Sequence, residues 1–195
     1  EEAELARRHA LHMLELSTQA VSEKDQVATD VWRRRYAYLI DDVRAALNWA
    51  FGPGKDPATG VSLAAASAPL WFALTRMAEF VRIAENALAA MRRDGIANPL
   101  REMSLCEAYG HALWHVHGAG EGVQAIFRRA LEIAEAAGGD ADQMRALWGL
   151  WLIANTAGDY RQARALAERF GAISERGSHA VGTLHHRMMA LSMHY

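Results

Sequence analysis

Two histidines four residues apart, His111 and His115 in the segment HALWH, have the spacing that places two zinc ligands on one helix face. The segment lacks the glutamate of an HExxH motif, so no general base for metal-assisted hydrolysis accompanies the pair. Zinc sites need three or four ligands, and the adjacent His185 and His186 would point to different faces. We therefore expect neither a metal nor another cofactor.

Nucleophilic and phosphate-binding motifs are absent from the sequence. Cys106 lies beside Glu107, whose negative charge disfavours a reactive thiolate. The segment ASAPL does not match the GxSxG nucleophile motif. The glycine-rich GPGKDPATG does not have the spacing GxxxxGK[ST] of a P-loop and is typical of a turn. We expect this chain to have no enzyme activity.

The tryptophans suggest binding instead. Trp148 shares a helical stripe with Arg145 and Asn155, and an amphipathic aromatic beside such polar groups can hold a peptide or a small ligand. Similar spacing upstream and downstream extends the candidate binding residues to His111, Trp114, His117, Arg145, Trp148, Asn155 and Arg187, with Leu152 and His186 on the same faces. The alternative is that Trp148 and Trp151 only fill the core, as we expect for Trp32, Trp49 and Trp71.

These residues need helices to position them, and helical periodicity runs through almost the whole chain. Sustained alternation and hairpin turn motifs, which would indicate strands, are nearly absent. The predicted helices lie near residues 2–22, 29–51, 58–74, 77–93, 99–117, 121–137, 141–157, 160–175 and 179–195. Pro69 should kink or split the third of them. Short loops predict antiparallel helical hairpins.

The hairpins repeat at a spacing of about 40 residues, which is typical of helical solenoids. In LWGLWLIANTAGDYRQARALAERFGAISERG, a turn at Gly158-Asp159-Tyr160 joins two helices, and small residues such as Ala163 and Ala167 allow close packing. This segment resembles a tetratricopeptide repeat. The predicted fold is all-α, a right-handed superhelix of antiparallel helix pairs with about nine helices. It forms a single helical-repeat domain over 1–195, with degenerate hairpins in 1–95 and tetratricopeptide-like repeats in 96–195, the last truncated.

A narrower resemblance lies in RRRYAYLIDDVRAALNWAFGPG and the segment LAAASAPLWFALTRMAEFVRIAENALAAM. Both are similar to the region after the ATPase domain of large bacterial STAND-type transcriptional regulators, which carry a winged-helix DNA-binding domain elsewhere. That helical region typically opens with E-H-x-N-L-R-A-A-L-x-W, whose second half matches Val43 to Trp49. Leu39 to Asp42 depart from its first half. The resemblance implies a sensor or protein-interaction module cut from a longer chain, with the ATPase upstream of Glu1. A stand-alone tetratricopeptide scaffold is the alternative, and a small-molecule- or metal-responsive domain a further one.

Composition excludes several classes of partner. Twenty-one basic residues are scattered among 23 acidic ones, giving a net charge of −2, so direct contact with nucleic acid is not expected. The basic runs at 33–35 and 91–93 predict solvated faces, with a docking surface for an attached domain as the alternative. A single cysteine and the lack of a signal peptide or a membrane-spanning segment indicate a cytoplasmic protein. The expected partner is a protein, a peptide or a small-molecule effector, and the exposed ends of a cut array could also form a homodimer.

Overall fold

The structure, a computed structural model, describes residues 2–52, 56–137, 139–175, 187–189 and 191. Across these residues it contains helices and no strand, which confirms the predicted all-α fold. The helices are α1 (Glu2–Glu23), α2 (Thr29–Tyr36), α3 (Ile40–Ala50), α4 (Pro57–Ala73), α5 (Met77–Asp94), α6 (Pro99–His117), α7 (Glu121–Ala137), α8 (Asp140–Thr156) and α9 (Tyr160–Ser174). Residues 187–189 are also helical. The rest of the predicted helix over 179–195 lies almost wholly outside the described residues.

The chain forms two compact units, Glu1–Ala112 and Leu113–Tyr195. The division falls inside α6, so that unit 1 contains α1 to α5 and most of α6. Unit 2 contains the last turn of α6 and α7 to α9.

In unit 1, α1 runs antiparallel to α2 and α3. Near one end of α1, the indole Nε1 of Trp32 donates a hydrogen bond of 2.7 Å to the carbonyl oxygen of Ala20. Near the other end, His9 lies 3.6 Å from the carboxylate of Asp42. Trp32 is buried as predicted, because its donor has an acceptor inside the core.

The predicted helix over 29–51 is interrupted, because a 3₁₀ turn at Ala37–Leu39 separates α2 from α3. In a 3₁₀ turn, side chains three residues apart point the same way. Tyr36 and Leu39 are therefore both buried, while Tyr38 is exposed. The helical periodicity predicted one uninterrupted helix here and did not predict this local tightening of the backbone.

Helix α4 is continuous through Pro69, so the proline does not split the segment. Asp56 caps its N-terminus by accepting hydrogen bonds from the backbone N–H and the hydroxyl of Thr59, at 3.0 and 2.7 Å. Both hydrogen bonds lower the pKa of Asp56, and the bond from the Thr59 hydroxyl has the larger effect. Trp71, near the other end of α4, is fully buried and donates through Nε1 to the hydroxyl of Ser67 at 3.1 Å.

In unit 2, α8 packs against both α7 and α9. In the turn between α8 and α9, Gly158 has a φ of +77°, a conformation that glycine adopts without strain. Asp159 then caps α9, because its Oδ1 accepts from the backbone N–H of Gln162 at 3.0 Å. Ala163 and Ala167 are fully buried, so the predicted small residues lie inside the packed interface.

Candidate binding face on helix α8

A glycine sets how closely α8 approaches α7. A Cβ atom added to Gly149 would lie only 2.4 Å from Cε1 of Phe127, whose ring is buried with 1% of its surface exposed. Real Cβ atoms do not come so close to another atom, so only glycine permits this approach. The position of α8, and of every side chain on it, therefore depends on this contact.

Helices α7 and α9 also contact each other, through two polar links near their opposite ends. Gln124 Nε2 donates to Gln162 Oε1 at 3.3 Å, and Arg169 lies 2.5 Å from the carboxylate of Glu135. Three mutually contacting helices form a triangle in cross-section. Helix α8 therefore keeps one face turned away from both of its neighbours within unit 2.

The stripe predicted from the sequence lies on that face. Arg145 is exposed, whereas Trp148, Leu152 and Asn155 are half-buried. The residues between them on α8, including Leu147 and Trp151, are buried, and α8 packs against α7 and α9. The structure thus separates Trp148, which reaches the surface, from Trp151, which belongs to the core.

The amide of Asn155 gives this face an unused acceptor. Its Oδ1 is buried and accepts no hydrogen bond in the part of the chain that the structure describes. A buried acceptor without a donor costs about 1–3 kcal/mol. A ligand with an N–H or O–H group placed here would recover that energy. Arg145, three turns away, pairs with Asp142 and places a cation at the other end of the same stripe.

The remaining predicted residues are spread over three places. Trp114 is half-buried in the last turns of α6, with its ring edge-on to His115 at a centroid distance of 4.8 Å, and His117 is exposed. Arg187 is exposed in the short helical stretch 187–189. His111 is half-buried and belongs to unit 1. His186, like His185, lies outside the described residues. Two described helices thus carry three predicted residues each, α6 with His111, Trp114 and His117 and α8 with Arg145, Trp148 and Asn155. The three on α8 lie within one compact unit, whereas those on α6 are divided between the two units.

Other chemistry finds little support in the geometry. Among the residues that the structure describes, no group of three or more His, Cys, Asp or Glu side chains is arranged to hold a metal ion. Cys106 is buried, so its thiol does not face solvent. In the same residues, no helix is both long enough and apolar enough to cross a membrane.

A cluster in unit 1 combines residues that no local pattern could relate. Arg44 donates to both carboxylate oxygens of Glu79, at 2.5 and 3.1 Å, and also pairs with Asp41. Its guanidinium lies 5.7 Å from the ring centroid of Trp71. The hydrogen bond from Arg44 lowers the pKa of Glu79 and raises that of the guanidinium.

This cluster joins α3 to α5 over the C-terminal half of α4. Asp41 is exposed and Arg44 is half-buried. Glu79 was missed, because it lies 35 residues further along the chain. All of the charges have partners, so the cluster holds helices together and offers no open position to a ligand.

Comparison with known proteins finds a likeness in fold only. No family model matches the chain, and no curated protein matches it. Six chains among the solved structures match, and one is BtubC (BKLC) from P. vanneervenii. The alignment covers 97% of this chain and 78% of BtubC, with a TM-score of 0.73 and 17% sequence identity. At that identity the likeness concerns the fold alone, and it supports the helical-repeat architecture.

Proposed function

We propose that this chain is a non-catalytic binding module that holds a peptide segment or a small effector on the face of α8 that is turned away from α7 and α9. The observation that carries the proposal is the stripe of Arg145, Trp148 and Asn155, which offers a cation, an amphipathic aromatic and an unused amide acceptor. Half-buried aromatics surrounded by a few polar groups are typical of peptide-binding surfaces.

We further propose that the module belongs to a bacterial ATPase-type transcriptional regulator. The support is the sequence resemblance around Val43 to Trp49. Binding would act on the regulator by linkage, since a ligand that prefers one arrangement of the array shifts the equilibrium of the attached domain. A stand-alone scaffold for protein–protein interaction is the alternative. The match to BtubC favours it, because a helical array of this kind makes up most of that chain.

The gene beyond both ends of this sequence separates these two proposals. A P-loop and a winged helix encoded upstream of residue 1 would support the regulator. A start codon directly before this sequence, with neither domain in the reading frame, would refute it in favour of the scaffold. Neither outcome affects the proposal for α8.

Fluorine NMR tests the binding face. The six tryptophans can be labelled with 5-fluorotryptophan and assigned by single Trp→Phe variants. A peptide selected from a random dodecapeptide phage library serves as the probe. We expect the resonance of Trp148 to shift on titration, while that of Trp71, which is fully buried in unit 1, stays in place.

Three variants make the test specific. Trp148→Ala should weaken peptide binding about tenfold or more, as expected for an aromatic hot spot. Trp49→Phe changes another half-buried tryptophan, in unit 1, and should leave affinity unchanged. Asn155→Leu removes the unsatisfied acceptor, so it should not destabilise the fold but should weaken binding. Enrichment of no peptide, or equal affinity in Trp148→Ala and the parent chain, would refute the proposal.

A further inference from the structure

An open depression in unit 1 lies between α2 and the C-terminal turn of α4. Its volume is about 320 Å³, and it is lined by Arg33, Arg34, Ala37, Ala73, Leu74 and Thr75. The lining therefore combines two guanidinium groups with a small apolar surface. It shares no residue with the α8 face and lies in the other unit.

The arginines of α2 differ in how strongly they are engaged. Arg35 lies 2.5 Å from the carboxylate of Glu23. Arg34 pairs with Asp30 at 2.8 Å, but both side chains are more than half exposed, and such pairs exchange readily with other partners. Across the described part of the chain, the side chain of Arg33 takes part in no hydrogen bond or ion pair. At least one cation at the depression is thus uncommitted.

Capping of α4 does not account for these cations. Carbonyl oxygens at the end of a helix attract positive side chains when they lack backbone donors. Here the chain itself supplies donors, since the carbonyl oxygens of Leu70, Trp71 and Phe72 accept backbone N–H bonds from Leu74, Arg76 and Thr75, at 3.1, 2.8 and 3.0 Å. The carbonyl of Leu74 accepts the hydroxyl of Thr75 at 2.7 Å. The arginines are not needed to satisfy these groups.

Thr75 is the second unusual feature of the depression. Its φ is +55°, in the left-handed region, where a β-branched residue is strained. The corresponding position after α5, α6 and α8 is occupied by Gly95, Gly118 and Gly158, which adopt this conformation freely. The turn alone would favour glycine after α4 as well. The turn therefore does not require the side chain of Thr75, which lines the depression.

We propose that the depression lined by Arg33, Arg34 and Thr75 binds an acidic polypeptide segment of a protein partner. A carboxylate of that segment pairs with the two guanidinium groups, and an adjacent apolar side chain packs against Ala73 and Leu74. Charge complementarity selects this occupant, because the uncommitted charge is positive and a guanidinium recognises a carboxylate through paired hydrogen bonds. Tyr38, which follows Ala37 and exposes 68% of its surface, extends the contact area with a residue type common at interfaces.

The test is a titration of the full chain, followed by NMR of the arginine Nε–H groups and the backbone amides. The probe is the blocked heptapeptide acetyl-Gly-Asp-Leu-Glu-Leu-Asp-Gly-amide. We expect saturable shifts at Arg33, Arg34 and Thr75. The isosteric peptide with Asn and Gln in place of Asp and Glu should bind about tenfold more weakly, because it lacks the charge that strengthens the bonds to arginine.

Three variants complete the test. Arg33→Gln should weaken binding of the acidic peptide about fivefold or more, as loss of a charge-assisted contact predicts. Arg164→Gln is the control for loss of one exposed arginine charge, because Arg164 lies on a helix of unit 2, away from the depression, and pairs with Glu168. Thr75→Gly should weaken binding while raising the resistance to urea, a combination that a purely structural role does not predict.

Several results would overturn the proposal. Unchanged affinity in Arg33→Gln would exclude the arginine contact, and equal shifts at Arg164 would show non-specific attraction. Equal binding of a peptide with Ser in place of Leu would remove the apolar anchor. Inorganic phosphate that produces the same shifts and displaces the peptide at similar concentration would identify a general anion site instead of a polypeptide site.

Discussion

Replacing Gly149 by alanine tests whether its contact with Phe127 sets the packing of α7 on α8. The added Cβ would lie 2.4, 2.5 and 2.7 Å from Cε1, Cδ1 and Cζ of the ring. Ordinary van der Waals contact begins near 3.4 Å. The ring cannot swing into solvent to make room, because it is buried in the interface. Either the ring leaves its rotamer or the two helices separate.

The magnitude follows from two opposing effects. In a helix interior, alanine is favoured over glycine by about 0.5–1 kcal/mol, because it loses less backbone entropy. Overpacking of a well-filled core costs about 1–3 kcal/mol. Three ring atoms are affected at once and the ring is enclosed, so the upper part of that range applies. We expect Gly149→Ala to lower the free energy of unfolding by about 2 kcal/mol.

Urea unfolding followed by circular dichroism at 222 nm measures this change. The matched control is Gly122→Ala, because Gly122 lies in the first turn of α7 in the same unit and a Cβ there would meet nothing within 4 Å. The same chemical change should therefore raise the free energy of unfolding by about 0.5–1 kcal/mol. The two substitutions should therefore change the free energy of unfolding in opposite directions.

A second substitution isolates the contact itself. Phe127→Leu removes part of the ring and should reduce the penalty of Gly149→Ala, giving a coupling energy of about 1 kcal/mol or more. Additive effects would refute the assignment of the strain to this ring. A Gly149→Ala variant that is as stable as the parent chain would refute the whole argument.

Three further predictions concern unit 1. Thr75→Gly should stabilise the fold by about 0.5–1 kcal/mol. A left-handed backbone costs a residue with a Cβ about 1–2 kcal/mol, and the larger entropy that glycine loses on folding offsets part of the gain. An equal or lower urea midpoint would contradict this prediction. Glu79→Gln should cost about 1–2 kcal/mol at pH 7, because it leaves the half-buried Arg44 without its carboxylate. The folded-state pKa of Glu79 lies below 4.5, so its stabilisation is present above pH 4.5 and lost as the pH falls through the lowered value. The difference between the parent and Glu79→Gln in urea titrations should accordingly shrink in acid, and a constant difference would count against the pair. Asp56→Ala removes the N-cap of α4 and should cost about 1 kcal/mol, which thermal unfolding can detect against an unchanged Asp25→Ala control in the exposed α1–α2 turn.

The sequence predicted the helices well because each signal is local. Apolar residues at steps of three and four identify α1 and α5 to α9 to within about two residues, and Gly158 with Asp159 marks a turn by its backbone chemistry. The 3₁₀ turn at 37–39 was not predicted, because three- and four-residue steps fit an uninterrupted helix equally well. The continuity of α4 through Pro69 was likewise left open.

The candidate sites depend more on tertiary structure. Spacing alone placed Arg145, Trp148 and Asn155 on one helical stripe, and all three lie on α8. The sequence left open whether Trp148 only fills the core, as Trp151 does, because aromatic residues at helical spacing are usually buried. The structure buries Trp151 and leaves Trp148 half-buried. The depression at Arg33 and Thr75 joins residues about 40 positions apart, which no local pattern relates.

The sequence by itself determined the class of fold, because helix periodicity, capping and turn chemistry act over a few residues. It also lacks the HExxH, GxSxG and P-loop motifs, which can be recognised from a few closely spaced residues. Tertiary structure alone decided which faces are covered, which charges find partners and where a Cβ has no room. Burial and charge pairing depend on distances between helices, and residues distant in sequence set those distances.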